Sequence, residues 1–211
     1  MGVKERRERE KSETRDKILD AARELFITEG YDGVSMRKVA EKIEYSPTAI
    51  YLHFADKEDL FHELVHEDFA QLAQVFQSAE LPPDPLERLK RIGRTYVDFG
   101  VRYPNHYKLM FMTPHPAAEL DERDREVLGN PEVDAYAFLK LTVQQGIDAG
   151  CFRPDLNDAD LISQTVWAAV HGVISLHIAK CNDAWVEWRP MEQRAELMLK
   201  ATLRGLMREP K

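Results

Sequence analysis

Two cysteines in 211 residues, Cys151 and Cys181, are too few for a disulfide framework and sit in no CxxC pair. Their scarcity points to a reducing compartment. Glycine is sparse, at 10 residues, and no glycine-rich phosphate-cradling loop occurs. No uninterrupted apolar run approaches the ~18 residues of a membrane span, and the first residues lack the apolar stretch of a signal peptide. The expectation is a cytoplasmic protein without membrane association. No serine triad or paired catalytic carboxylates stand out, and no cofactor is implied. No alternating apolar and polar run reads as a strand. A positive charge excess is missing too: the formal net charge is −8. Its distribution is uneven, however, because residues 1–54 carry 11 Lys+Arg against 11 Asp+Glu, and the remainder carries 18 against 26. The whole acidic excess lies beyond residue 54.

What is present is helical periodicity. Hydrophobic content of 44% and charged content of 31% describe a globular chain long enough for one or two domains. The patterning predicts an all-α fold of about nine helices. The first spans 14–29, burying Ile18, Ala22, Leu25 and Phe26 and closing at Gly30. Others follow at 36–43, from Pro47, at 56–78 with Asp56 and Asp59 as a capping pair and an apolar stripe of Leu60, Phe61, Leu64, Val65, Phe69, Leu72 and Phe76, and at 86–103, where Pro104 ends the run. Asn105 caps a short sixth helix. A polar stretch from Thr113 to Asn130 predicts a loop with at most a little helix, and helices then cover 131–150, 158–180 and 192–207.

The most informative segment is Ser35 to Phe54. Met36, Val39, Ala40 and Ile43 fall on one helical face behind Ser35 as N-cap. Ser46 followed by Pro47 is a strong second helix start, since serine caps orphan amides and proline is tolerated at the first helical position. At about 100° per residue, Ile50 and Phe54 share one side while Thr48 and Leu52 point to the other. An outward leucine beside a threonine suits thymine methyls in a major groove. Tyr51 and His53 flank that face, with polar tips suited to phosphate oxygens. A helix-turn-helix DNA reader is therefore expected here. Lys4, Arg6, Arg7, Arg9, Lys11, Arg15 and Lys17 precede it as a basic arm interleaved with glutamates.

The run ILDAARELFITEGYDGVSMRKVAEKIEYSPTAIYLHFADKEDL, Ile18 to Leu60, resembles the TetR family of transcriptional regulators. That resemblance implies a three-helix DNA-binding domain over 1–56 and a larger all-helical effector-binding and dimerisation domain over 57–211. It implies that Tyr51, His53 and Lys57 hold phosphates, joined by Ser35 and Arg37, and that Pro47, Thr48, Ala49 and Leu52 approach bases, with Ser46 opening the reading helix. Members commonly have Gly-Val where this chain has Glu44-Tyr45, and glycine where it has Thr48, so a residue with a side chain occupies a turn that favours positive φ. Trp167, His171 and Gly172 resemble the Trp, His-Gly motif of one C-terminal subgroup. The implied partners are a double-stranded DNA operator, a second copy of the chain and a small-molecule effector. Small or apolar residues Ala168, Ala169, Gly172 and Ser175, with Leu197, Met198, Ala201 and Leu206, are the candidate dimer interface. Phe99, Tyr103, Met110, Phe111, Phe138, Trp167 and His171 are candidate effector-pocket residues, although an ordinary core uses the same types.

One competing motif stands out. His62-Glu63-Leu64-Val65-His66 matches the zinc-peptidase pattern, in which two histidines one turn apart hold a metal and the glutamate activates water. It falls on a helix already required for packing, and no third-histidine extension follows. His177 and Cys181 share the same spacing, with nothing nearby in sequence to complete a tetrahedral set. The expectation is no catalytic or metal site. A dimeric interaction protein without DNA reading is the other alternative.

Overall fold

The computed structural model describes residues 2–115 and 122–208. Among the described residues there are ten helices and no strand: α1 (Val3–Gly33), α2 (Met36–Lys42), α3 (Pro47–Tyr51), α4 (Lys57–Ser78), α5 (Pro85–Arg102), α6 (Pro104–Met112), α7 (Glu122–Val127), α8 (Ala135–Asp148), α9 (Ala159–Lys180) and α10 (Met191–Leu206). A single antiparallel bridge joins Phe152 to Met207.

Most boundaries fall where local chemistry sets them. Gly30 adopts φ 73° and breaks the α1 geometry at the expected C-cap. Ser35 Oγ accepts from Lys38 N–H at 3.3 Å, and Ser46 Oγ from Ala49 N–H at 3.2 Å. Asp56 accepts from Asp59 N–H at 2.9 Å, while the Asp59 carboxylate reaches the amide of Ala55. Other boundaries differ from expectation. The first helix begins at Val3 rather than near residue 14, because i,i+4 pairs such as Arg6–Glu10 at 2.7 Å and Arg9–Glu13 at 3.3 Å line its exposed half. Pro104 does not only end α5; it opens α6. Pro131 does not open α8: residues 131–133 form a turn, and Asp134 caps the helix by accepting from the amides of Tyr136 and Ala137. The tenth helix, α7, lies inside the expected 113–130 loop, of which residues 116–121 are outside the described set.

Contacts divide the chain into two units. The described residues of Met1–Asp68 and Asn105–Glu119 form one; those of Phe69–Pro104 and Leu120–Lys211 form the other. This differs from a division at residue 56: the first half of α4 and most of α6 cluster with the head. The core of the first unit gathers Ile18, Ala22 and Phe26 of α1, Val39 and Ala40 of α2, and Ile50, Phe54, Leu60 and Leu64 around them. Phe26 stacks on Tyr31 at 5.8 Å and meets Phe61 edge-on at 4.9 Å.

The first unit also buries a charge cluster that periodicity does not announce. Asp68 is 1% exposed and takes Arg23 Nη2 at 2.9 Å and Nε at 3.4 Å, with His106 Nδ1 at 2.8 Å. A carboxylate thus occupies the α4 stripe position between Leu64 and Leu72, and Phe69, expected in that stripe, is 39% exposed.

In the second unit, α5 packs on α8, α9 and α10, and α9 packs on α8 and α10. The α5–α10 approach is close at Gly93, where an added Cβ would lie 2.5 Å from Leu199 Cδ2. Arg94 binds Glu196 through both Nε and Nη2 across the same seam.

Candidate nucleic-acid interface

The α2–turn–α3 segment is held from below and open above. Ile50 and Phe54 are buried in the head core, whereas Leu52 is 75% exposed and Tyr51 54%. Ser46, Pro47 and Thr48 are exposed as well, and Ala49 is half-buried. The apolar anchors fix the orientation of a helix too short to be stable alone. A row of Thr48, Leu52 and Tyr51 faces outward.

The turn carries the one positive φ outside glycine among the described residues, Glu44 at φ 60°. Thr48 sits in ordinary helical backbone, so the missing glycine matters at position 44 alone. The left-handed region costs a side-chain-bearing residue about 1–2 kcal/mol, and glycine returns part of that through unfolded-state entropy. Glu44→Gly is therefore expected to stabilise the chain by about 0.5–1 kcal/mol, read as a higher urea midpoint. A lower midpoint would mean that contacts of the Glu44 side chain outweigh the strain.

The flanking polar groups are built in different ways. Ser35 caps α2, and Arg37 pairs with Glu41 at 2.8 Å on the exposed surface. Lys57 Nζ donates to Tyr31 O at 3.0 Å and stands 4.2 Å over the Tyr31 ring, which leaves further ammonium protons for an anion. His53 is half-buried, and its Nδ1 has no hydrogen-bond partner among the described residues. Burial first, then the nearby charges of Lys11 and Arg15, lower its pKa. Arg15 was expected only in the arm, yet it crosses the unit, pairing with Glu63 and Glu67 and lying 5.5 Å from the Phe54 ring centre.

That pairing bears on the zinc motif. The Glu63 carboxylate is committed to a guanidinium, and among the described residues no three potential ligands gather around a metal position. His177 Nδ1 lies 3.3 Å from Arg194 Nη2, and Cys181 Sγ lies 3.7 Å from Asn182.

The seven candidate effector residues fall in both units: Met110 and Phe111 in the first, the other five in the second. Phe111 lies 4.9 Å from Tyr107, and Phe99 lies 5.4 Å from Tyr103. Phe138 meets Phe76 at 6.3 Å. Trp167 donates its indole N–H to Tyr96 Oη at 3.0 Å and lies 6.0 Å from Tyr136. Burial lowers the pKa of the half-buried His171. A cleft of about 700 Å³ in the second unit lies elsewhere, lined by Val97, Val101 and Asp98 of α5 and by Met191, Ala195 and Glu192 of α10, among others.

The candidate dimer residues lie on two adjoining helices. Ala168 and Ala201 are exposed, Leu197 is 71% exposed, and Ala169, Gly172, Ser175, Met198 and Leu206 are half-buried. A Cβ added at Gly172 would meet nothing within 4 Å. Leu161 and Leu176 extend the same α9 face and were not in the expected set. By length and composition α9 could cross a membrane; only 28% of its apolar window is buried.

Comparison with known proteins agrees with this architecture. Residues 18–64 match the bacterial regulatory proteins of the tetR family, and residues 89–202 match the tetracyclin repressor-like C-terminal domain. The HTH-type transcriptional regulator AcrR of Shigella flexneri is 29% identical over 171 residues, 79% of this chain and 77% of that protein. The repressor AcnR of Corynebacterium diphtheriae is 44% identical over 66 residues; that match spans 31% of this chain and about a third (35%) of the relative. The fold matches that of the fatty acid degradation regulator FadR from Bacillus halodurans with a TM-score of 0.71, at 19% identity, covering 92% of this chain and 97% of that one. A reading helix anchored by Ile50 and Phe54, in a chain matched at both its head and its second unit, shows that this protein belongs to the TetR family of DNA-binding transcriptional regulators.

Proposed function

We propose that the protein is a dimeric repressor that binds a pseudo-palindromic operator and is released when a small molecule occupies its second unit. The observation that carries this reading is the outward pair Thr48 and Leu52 on a helix whose opposite side is locked into the core. Such a surface is costly for a solvated loop and suited to base edges and thymine methyls. Pro47 and Ala49 flank it, while Ser35, Arg37, Tyr51, His53 and Lys57 supply phosphate contacts. A non-catalytic role follows, in the cytoplasm where the operator lies.

The apolar row on α9 supports the dimer. Leu161, Ala168, Gly172 and Leu176 share one face, on which Gly172 is half-buried and the other three are exposed in a single chain. A second copy covering α9 and α10 would bury it and place two reading helices about one DNA turn apart, ~34–36 Å, or somewhat more. Release requires the effector to prefer the conformation that cannot bind DNA, since equal affinity for both shifts nothing. Helix α4 is the proposed lever, because the chain passes through it from one unit into the other. We also propose the Trp, His-Gly subgroup for the second unit, on the Trp167, His171 and Gly172 pattern alone.

The experiment is selection of bound fragments from the source genome, repeated with candidate ligands to find those that release them. On the selected duplex, Thr48→Ala is expected to change base preference by about 1–3 kcal/mol at the positions it reads. Lys57→Ala is expected to weaken every sequence alike and flatten the salt dependence. Uniform loss from both substitutions would contradict this division of roles.

A further inference from the structure

The exposed half of α1 has an ordered charge pattern that the helix-turn-helix leaves unused. At about 100° per residue, Lys4, Arg7, Lys11 and Arg15 fall within about 80° of one another. Glu5, Glu8, Glu10, Glu13 and Asp16 all lie outside that sector. The glutamates are occupied. Glu10 takes Arg6 at 2.7 Å, Glu13 takes Arg9 at 3.3 Å, and Glu8 reaches Lys4 at 3.9 Å. Arg15 is committed to Glu63 and Glu67. Arg7 and Lys11 remain exposed, with no ion pair among the described residues.

The strip also has a direction. Lys11 and Arg15 are close enough to act on His53, which borders the reading face, and Arg15 lies over Phe54. The basic row therefore runs along α1 from the N-terminal turn toward the reading helix, within one compact unit. Lys4 to Lys17 carries 7 Lys+Arg against 5 Asp+Glu, and Glu8, Glu10 and Glu13 act as i,i+4 braces outside the basic sector. They brace the helix that carries Arg7 and Lys11, so less backbone ordering is needed when a partner binds.

We propose that Arg7 and Lys11 form a second phosphate-binding strip that grips the duplex beside the site read by α3, extending the DNA contact beyond the helix-turn-helix. This rests on the head binding DNA. Charge complementarity selects the occupant: Arg7 and Lys11, exposed and with no ion pair among the described residues, suit a phosphate backbone, from which they release condensed counterions. An anionic membrane surface fits poorly. The helix from Lys4 to Arg15 has no apolar face of the kind an interfacial helix inserts.

The test uses the full chain and a mixed-sequence duplex of roughly 30 base pairs, long enough for nonspecific phosphate binding, titrated at several salt concentrations. The double variant Arg7→Gln, Lys11→Gln is compared with the charge-matched Arg6→Gln, Arg9→Gln. Circular dichroism checks that both stay helical. The strip variant is expected to reduce the log–log salt slope by about 1.8 per protomer, at about 0.9 per lost contact, and to lower affinity roughly tenfold or more. The control should change the slope by less than half as much. Equal effects from the two variants, or an unchanged strip variant on a duplex the wild type binds, would overturn the proposal and leave the helix-turn-helix reading intact. Failure of the wild type to bind any duplex would overturn both. Loss of binding to anionic phospholipid vesicles, with duplex binding unchanged, would reassign the strip to a membrane.

Discussion

Asp68→Ala is expected to destabilise the protein by about 3–5 kcal/mol, the range found when one partner of a buried ion pair is removed. Asp68 is 1% exposed and the Arg23 side chain 9%. Among the described residues, the guanidinium left behind keeps Asp20 at 2.9 Å, and that carboxylate is 80% exposed. His106 loses its 2.8 Å contact in the same step. Total domain stability is typically ~5–15 kcal/mol, so the loss would be a large share of it. The cost comes from an unpaired buried charge rather than from lost attraction. Arg23→Met with Asp68→Leu should therefore recover much of the stability, because well-packed apolar replacements of buried pairs are often neutral or better. Urea titration of the three proteins is the measurement. A loss below about 1 kcal/mol for Asp68→Ala, the range of exposed pairs, would show that water reaches Arg23.

The second large effect is on assembly. Gly172→Arg is expected to convert the proposed dimer into a folded monomer. In the single chain a Cβ at Gly172 meets nothing within 4 Å, and replacing a mid-helix glycine with arginine improves helix propensity by about 0.8 kcal/mol. The monomer has no reason to object. A dimer closing over Ala168, Gly172 and Leu176 would have to bury a charged side chain on each copy, which is strongly unfavourable without a partner. Light scattering should report one chain instead of two, with unchanged helical content, and operator affinity should fall steeply as the second half-site is lost. A variant that stays dimeric would move the interface elsewhere on the chain.

These two cases show what was legible in the sequence and what was not. The buried and outward sides of α3 were legible because each signal is local. Ser35 and Ser46 cap helices within three residues of themselves, and the sides assigned to Ile50, Phe54, Thr48 and Leu52 follow from helical period alone. Glu44 was marked only by the resemblance, which marked Thr48 as well; the structure gives a positive φ to Glu44 and helical backbone to Thr48. The Arg23–Asp68–His106 cluster was not: its members lie far apart in sequence, and the apolar period of α4 favoured Phe69 over Asp68. Only the carboxylate standing between Leu64 and Leu72 hinted at it. The early start of α1 was missed because periodicity tracks burial, whereas charge pairs hold that segment. The effector residues stayed ambiguous for a different reason. Trp167 on Tyr96 and Phe99 on Tyr103 are contacts that a pocket wall and an ordinary core make equally well.

Operator binding and effector release both depend on the proposed sequence-specific reading of DNA by the head. It is tested most directly by titrating the wild-type protein with a duplex selected from the source genome and with the same duplex scrambled, at physiological salt. The selected duplex is expected to bind at least about 10³-fold more tightly, the lower end of specificity ratios for such proteins. Equal affinity for the two duplexes would contradict it.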